Sequence, residues 1–168
     1  MSKEPPTEVF MPPNMLKAKV GGTIAGLDMA AVKRAETAME SLKEEFSGWI
    51  ATDIKKLGEA YDAFVTTNDL NARGDLFRAS HDLKGQAATF EFPLISRVAS
   101  SLSKLIDTLA ADEPLPLPIV DAHINAIRVI YRDKIKDISN LTAITLIEEL
   151  EGRVRETLER AAAKAPRR

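Results

Sequence analysis

Residues 78–92 read RASHDLKGQAATFEF. An α-helix advances about 100° per residue. With Leu76 set at zero, Ala79, Leu83, Ala87 and Phe90 fall within about 60° of it and form one apolar stripe. That spacing predicts a helix over about 71–91 with a single buried face. His81 falls at about 140°, nearly opposite the centre of that face. Its helical neighbours are Gly74, Phe77, Arg78, Lys84, Gly85 and Ala88.

The same period continues outward in both directions. Upstream, Ile50, Ile54, Leu57, Tyr61 and Phe64 predict a helix over about 49–67, followed by a turn at Thr66-Thr67-Asn68-Asp69. Before it, Val32, Ala35, Met39, Leu42 and Phe46 predict a helix over 28–46 with Asp28 as N-cap and Ser47-Gly48 as the break. Downstream, Pro93 opens a helix over 93–111 whose stripe is Leu94, Val98, Leu102, Leu105 and Leu109. ADEPLPLP, residues 111–118, reads as an extended connector. A helix over 118–137 then buries Val120, Ile124, Ile127, Tyr131 and Ile135. Ser139-Asn140 breaks it, and a last helix over 141–163 carries Leu141, Ile144, Ile147, Leu150, Val154 and Leu158.

No run alternates with a period of two between turn glycines, so no strand is expected. Helices of this length joined by short loops predict an all-α fold. Its core is an antiparallel four-helix bundle of 49–67, 71–91, 93–111 and 118–137. The first helix is expected to cap one end. The C-terminal helix has two options: folding back on the bundle, or pairing with a second chain in a homodimer. Residues 1–20 are Pro-rich and aperiodic, a flexible tail before a single domain over 21–168.

Composition narrows the function. The 168 residues are 45% apolar, which suffices for a core, but only 5% aromatic, which disfavours a base-stacking platform. The net charge of -2 removes the global basic field that nucleic acid or an anionic membrane would require. There is no cysteine, so disulfides, zinc-thiolate sites, iron–sulfur clusters and cysteine nucleophiles are excluded. Two histidines make a multi-histidine metal site a poor expectation. MSKEPPTEVFMPP lacks the apolar segment of a signal peptide, and no apolar run is long enough to span a bilayer. A cytoplasmic location is expected. His123, on the helix over 118–137, is expected at the bundle edge or surface, and Trp49 is expected to pack.

Gly85 is the unusual residue near His81. An interior helical glycine costs roughly 1 kcal/mol relative to alanine. One turn past an exposed histidine, it leaves the imidazole open to a bulky group or another protein's loop. Lys84 can place a point charge beside the same ring, which suits a phosphoryl group. A solvated surface histidine with a lysine three residues on is the common alternative. Geometry alone favours that alternative.

His81-Asp82-Leu83-Lys84-Gly85 has the pattern H-x-x-K-G on a helix. It resembles the signature of histidine-containing phosphotransfer (HPt) domains. FRASHDLKGQAATFEFPLISRVASSLSKLID is also similar to the phosphoryl-accepting domain of chemotaxis kinases. The resemblance covers residues 50–110 well and 118–137 by helical pattern only.

The resemblance implies a phosphorelay intermediate that moves phosphoryl groups reversibly between aspartates and lacks autokinase activity. His81 would accept the phosphoryl group through Nε2, Lys84 would steady its oxygens, and Gly85 would give access. An imidazole titrates near 6.5 in model compounds, so an unprotonated nucleophile exists near neutral pH. No cofactor is implied on this chain; the divalent cation would sit on the partner receiver. The partners implied are response-regulator receiver domains and a hybrid histidine kinase.

Phe77, Arg78, Gln86 and Ala88 would contact the partner, together with the helix over 49–67. Arg73 and Arg78 would steer an acidic receiver surface. Phe92 would project towards His81 if the helix ran that far. Two readings compete: a dimerisation and phosphotransfer module of a sensor kinase, and a non-catalytic helical adaptor. The first normally carries H-E-x-x-[TN]-P, which this chain lacks.

Overall fold

The computed structural model describes residues 29–164, apart from the side chains of 43–47. The Pro-rich tail over 1–20, the Asp28 cap and the Phe46 side chain lie outside the described residues. Among these the chain is all-helical. The helices are α1 Met29–Thr67, α2 Leu70–Thr89, α3 Pro93–Thr108, α4 Leu117–Arg132 and α5 Leu141–Lys164.

Contacts divide the chain into a unit ending at Leu42 and a unit beginning at Lys43. In the first, Ala35, Met39 and Leu42 of the apolar stripe are exposed, Met39 at 61% and Leu42 at 47%, while Val32 is half-buried. The break expected at Ser47-Gly48 is also absent, and α1 is continuous through it. Glycine weakens a helix without ending it unless the backbone turns left-handed. Here Gly48 stays helical and its carbonyl accepts from the Thr52 hydroxyl at 3.0 Å.

The second unit is the bundle. Ile50, Leu57, Leu76, Leu83, Ile95, Leu102, Leu105, Ile124 and Ile127 are among its fully buried side chains. α3 lies against α2, α4 and α5, and α5 also packs on α4. The last helix therefore folds back within the chain. Ala143, Ile147, Leu150 and Val154 are buried, and Arg97 on α3 grips Glu151 on α5 through two hydrogen bonds of 2.7 and 2.8 Å. Leu141, expected on the buried stripe, is 81% exposed. It opens the helix before the stripe reaches the bundle, where Asn140 caps α5 by accepting from the Ala143 amide at 3.0 Å.

Helix ends set what faces the solvent. The Asp69 carboxylate accepts from the Ala72 amide at 2.8 Å and starts α2. α2 stops at Thr89, two residues before the expected end. Glu91 turns left-handed at φ 62°, and the Phe92 amide donates back to the Ala87 carbonyl at 2.9 Å. This six-to-one bond closes the helix and carries Phe92 into the core, where it is 4% exposed against Tyr131. Phe92 therefore does not share the His81 face. Lys134, at φ 51°, ends α4 in the same way, with Ile135 donating to Ile130, so α4 closes at Arg132 rather than 137.

Candidate functional site

α2 is held by its core face. Leu76, Leu83 and Ala87 are buried, while Ala79 and Phe90 are partly buried against the same core. Ser96 on α3 donates its hydroxyl to the Lys84 carbonyl at 2.8 Å. That bond ties the second half of α2 to the neighbouring helix.

His81 stands on that outward face with 61% of its side chain exposed. The Phe77 ring lies beside it, centroids 5.8 Å apart and planes 34° apart. Nδ1 is the nitrogen nearer the chain's own Asp82, whose Oδ1 is 3.9 Å away, beyond hydrogen-bond range. A Cβ added at Gly85 would meet nothing within 4 Å, so the space over that position is open. His81, Gly85 and Gln86 line one depression with Asp82, Thr89 and Phe90.

The remaining expected residues are more dispersed. Ala88 is exposed on the same face. Arg78 pairs with Asp75 and lies back across Gly74, 3.6 Å from where a Cβ would stand. Lys84 lines a different feature, the groove between α3 and α5.

Two expectations are overturned. Arg73 is buried, not a surface steering charge. Its guanidinium donates to five carbonyls: Ala110, Ala111 and Glu113 from Nη1 at 3.1, 3.4 and 3.0 Å, and Ile106 and Leu109 from Nη2 at 3.1 and 2.7 Å. These are the carbonyls that the end of α3 and its following turn leave without helical partners, and a cation suits that end of the helix dipole.

His123 is fully buried between α4 and α3 rather than at the surface. Nδ1 lies 2.7 Å from the Ile119 carbonyl and Nε2 lies 3.0 Å from the Ser101 hydroxyl. A carbonyl can only accept, so Nδ1 carries the proton and Ser101 donates to Nε2 in the neutral ring. Burial holds the His123 pKa below the ordinary histidine value, against smaller upward pulls from Ile119 and Glu151.

Sequence reasoning also passed over an aromatic rim. Trp49 on α1 meets Phe90 edge to face at 5.7 Å and remains 51% exposed. Phe90 in turn lines the His81 depression. Trp49 therefore packs as expected, and it also places apolar surface beside the site. Its pattern offered no signal for the second role, because the position lies one residue off the core stripe.

A family model described as Hpt domain matches residues 41–164, well over half of the chain. No curated protein and no solved structure matches it.

Proposed function

The chain belongs to the Hpt domain family, and from that membership we propose that it is a phosphoryl carrier in a His-Asp phosphorelay with His81 as the acceptor. Hpt domains transfer phosphoryl groups through a histidine and are carriers rather than classical enzymes. The observation that carries the assignment to His81 is the contrast between the two histidines. One imidazole is exposed beside open space on a well-anchored helix; the other is buried with both nitrogens engaged.

In the forward step the lone pair of His81 Nε2 attacks phosphorus of a receiver's aspartyl phosphate. The Nε2–P bond forms as the bond from phosphorus to the carboxylate oxygen breaks, and the aspartate leaves as a carboxylate. The imidazole keeps its Nδ1 proton, and the reverse step returns the phosphoryl group to a second receiver. Lys84, three residues on, supplies positive charge beside the transferred oxygens. Gly85 leaves room for the receiver loop. Phe77, Gln86, Ala88 and the Trp49–Phe90 pair form the surrounding contact surface, and Arg78 adds exposed charge at its edge. The divalent cation that such transfer uses belongs to the receiver.

The test is transfer from a panel of phosphorylated receiver domains, read by intact mass at neutral pH. The expected result is one phosphoryl adduct that is lost in acid and is chased off by a second, unphosphorylated receiver. ATP and Mg²⁺ without a kinase should give no adduct. An adduct from ATP alone would overturn the carrier reading. No adduct from any receiver, with the helical fold verified, would favour the adaptor.

A further inference from the structure

A second groove, apart from the His81 depression, shares only Lys84 with the proposed phosphoacceptor residues. It runs between α3 and α5 and encloses about 620 Å³. Its α3 wall is built from successive turns, Pro93, Ser96–Arg97, Ser100–Ser101 and Lys104. The eleven helical rises from Pro93 to Lys104 give it a length of roughly 16 Å. Its apolar lining comes from Val154 and Leu158 on α5, with Pro93 at one end of the α3 wall.

Its charge is lopsided. Arg97 and Glu151 neutralise each other across the groove. Lys84 sits at the Pro93 end, Arg155 along the α5 wall and Lys104 at the far end, with Glu159 the other acidic group in the lining. Among the described residues Lys84, Lys104 and Arg155 have no ion-pair partner within 4 Å. Three cations against one carboxylate leave a positive strip on a chain whose net charge is -2. Exposed lysines and arginines on this chain are otherwise often paired along their own helices, as at Lys55–Glu59, Arg153–Glu149 and Arg160–Glu156.

We propose that this groove docks a short acidic segment of a partner protein, carrying one or two apolar side chains among its carboxylates. The cations are spread along the groove rather than gathered at one point, which matches a chain of carboxylates better than a single phosphate. At about 3.3 Å per residue, some five extended residues would span it. The apolar lining takes the non-polar side chains, and the flanking cations select for acidic ones. Docking here needs no phosphoryl chemistry, so it stands independently of the His81 reading although Lys84 serves both.

The probe is a fluorescein-labelled peptide of Leu-Glu-Asp repeats, followed by fluorescence anisotropy. A control peptide has lysine in place of every acidic residue. The acidic peptide should bind the wild type and the His81→Ala variant alike, and more weakly as salt is raised. The double variant Lys104→Glu/Arg155→Glu should weaken binding at least tenfold while keeping the wild-type melting temperature. Each single variant should act in the same direction. Equal binding by the charge-reversed protein, equal binding of the lysine peptide, or no binding to the wild type would overturn the proposal. So would displacement of the peptide by equimolar ATP or by phosphatidylserine vesicles, which would reassign the groove to a nucleotide or a lipid surface.

Discussion

The two histidines have opposite surroundings, and burial separates them. His81 stands at about 140° from the core centre of α2, whereas His123 lies only about 60° from Val120 on the core side of α4. That angle was available in the sequence. What the sequence lacked was Ser101, 22 residues away, which makes a buried imidazole tolerable by donating to it. The same holds for Arg73. It lies about 60° from Leu76, at the edge of the core face, but its carbonyl acceptors are 33 to 40 residues downstream. Arg73→Ala should destabilise the fold by about 3 kcal/mol in urea unfolding, since several carbonyls lose their shared donor together. Arg73→Lys should recover little, because an ammonium lacks the planar fork that reaches both sets of carbonyls.

His123 also sets a pH dependence. Its folded pKa lies below the unfolded value near 6.5, so the unfolded chain binds the proton more readily. This contribution to stability is intact above about 6.5 and declines as pH falls from there through the lower folded value. Urea midpoints at pH 7.5 and 5.5 should therefore differ more for the wild type than for His123→Gln. An equal acid loss in both proteins would place the effect elsewhere.

The helical periods of the elements were legible, because each stripe is a local pattern that burial enforces. Their ends were less so. α2 and α4 each stop at a left-handed residue that is not glycine, Glu91 and Lys134, so the usual marker of a helix end was missing. Conversely Gly48, which resembles a break, sits inside α1. Gly85 is the informative glycine. No neighbour requires its missing side chain, so its small size serves neither packing nor backbone strain. Gly85→Ala should raise stability by roughly 1 kcal/mol, as expected for an interior helical position. Gly85→Leu should keep the fold yet slow phosphoryl transfer from a receiver at least tenfold, measured as the initial rate of adduct formation. Unimpaired transfer in Gly85→Leu would remove the access role.

For the whole molecule, the sequence left the last helix two options, and long-range contacts decide between them. α5 covers α3 and α4, with Ile147 fully buried and Glu151 gripping Arg97. The fold-back creates the cationic groove, a feature of two helices some 50 residues apart that no local pattern announces. It leaves the His81 face of α2 clear, since α5 packs on α3 and α4. The described residues thus have a side covered by α5 and an open His81 face, which suits the proposed carrier role.

The central claim is that His81 alone carries the phosphoryl group. The most direct measurement is intact mass after incubation with a phosphorylated receiver, for the wild type, His81→Ala and His123→Gln, each first shown to be helical and cooperatively folded. The account predicts an acid-labile phosphoryl adduct on the wild type and on His123→Gln and none on His81→Ala. An adduct that persists on folded His81→Ala would contradict it.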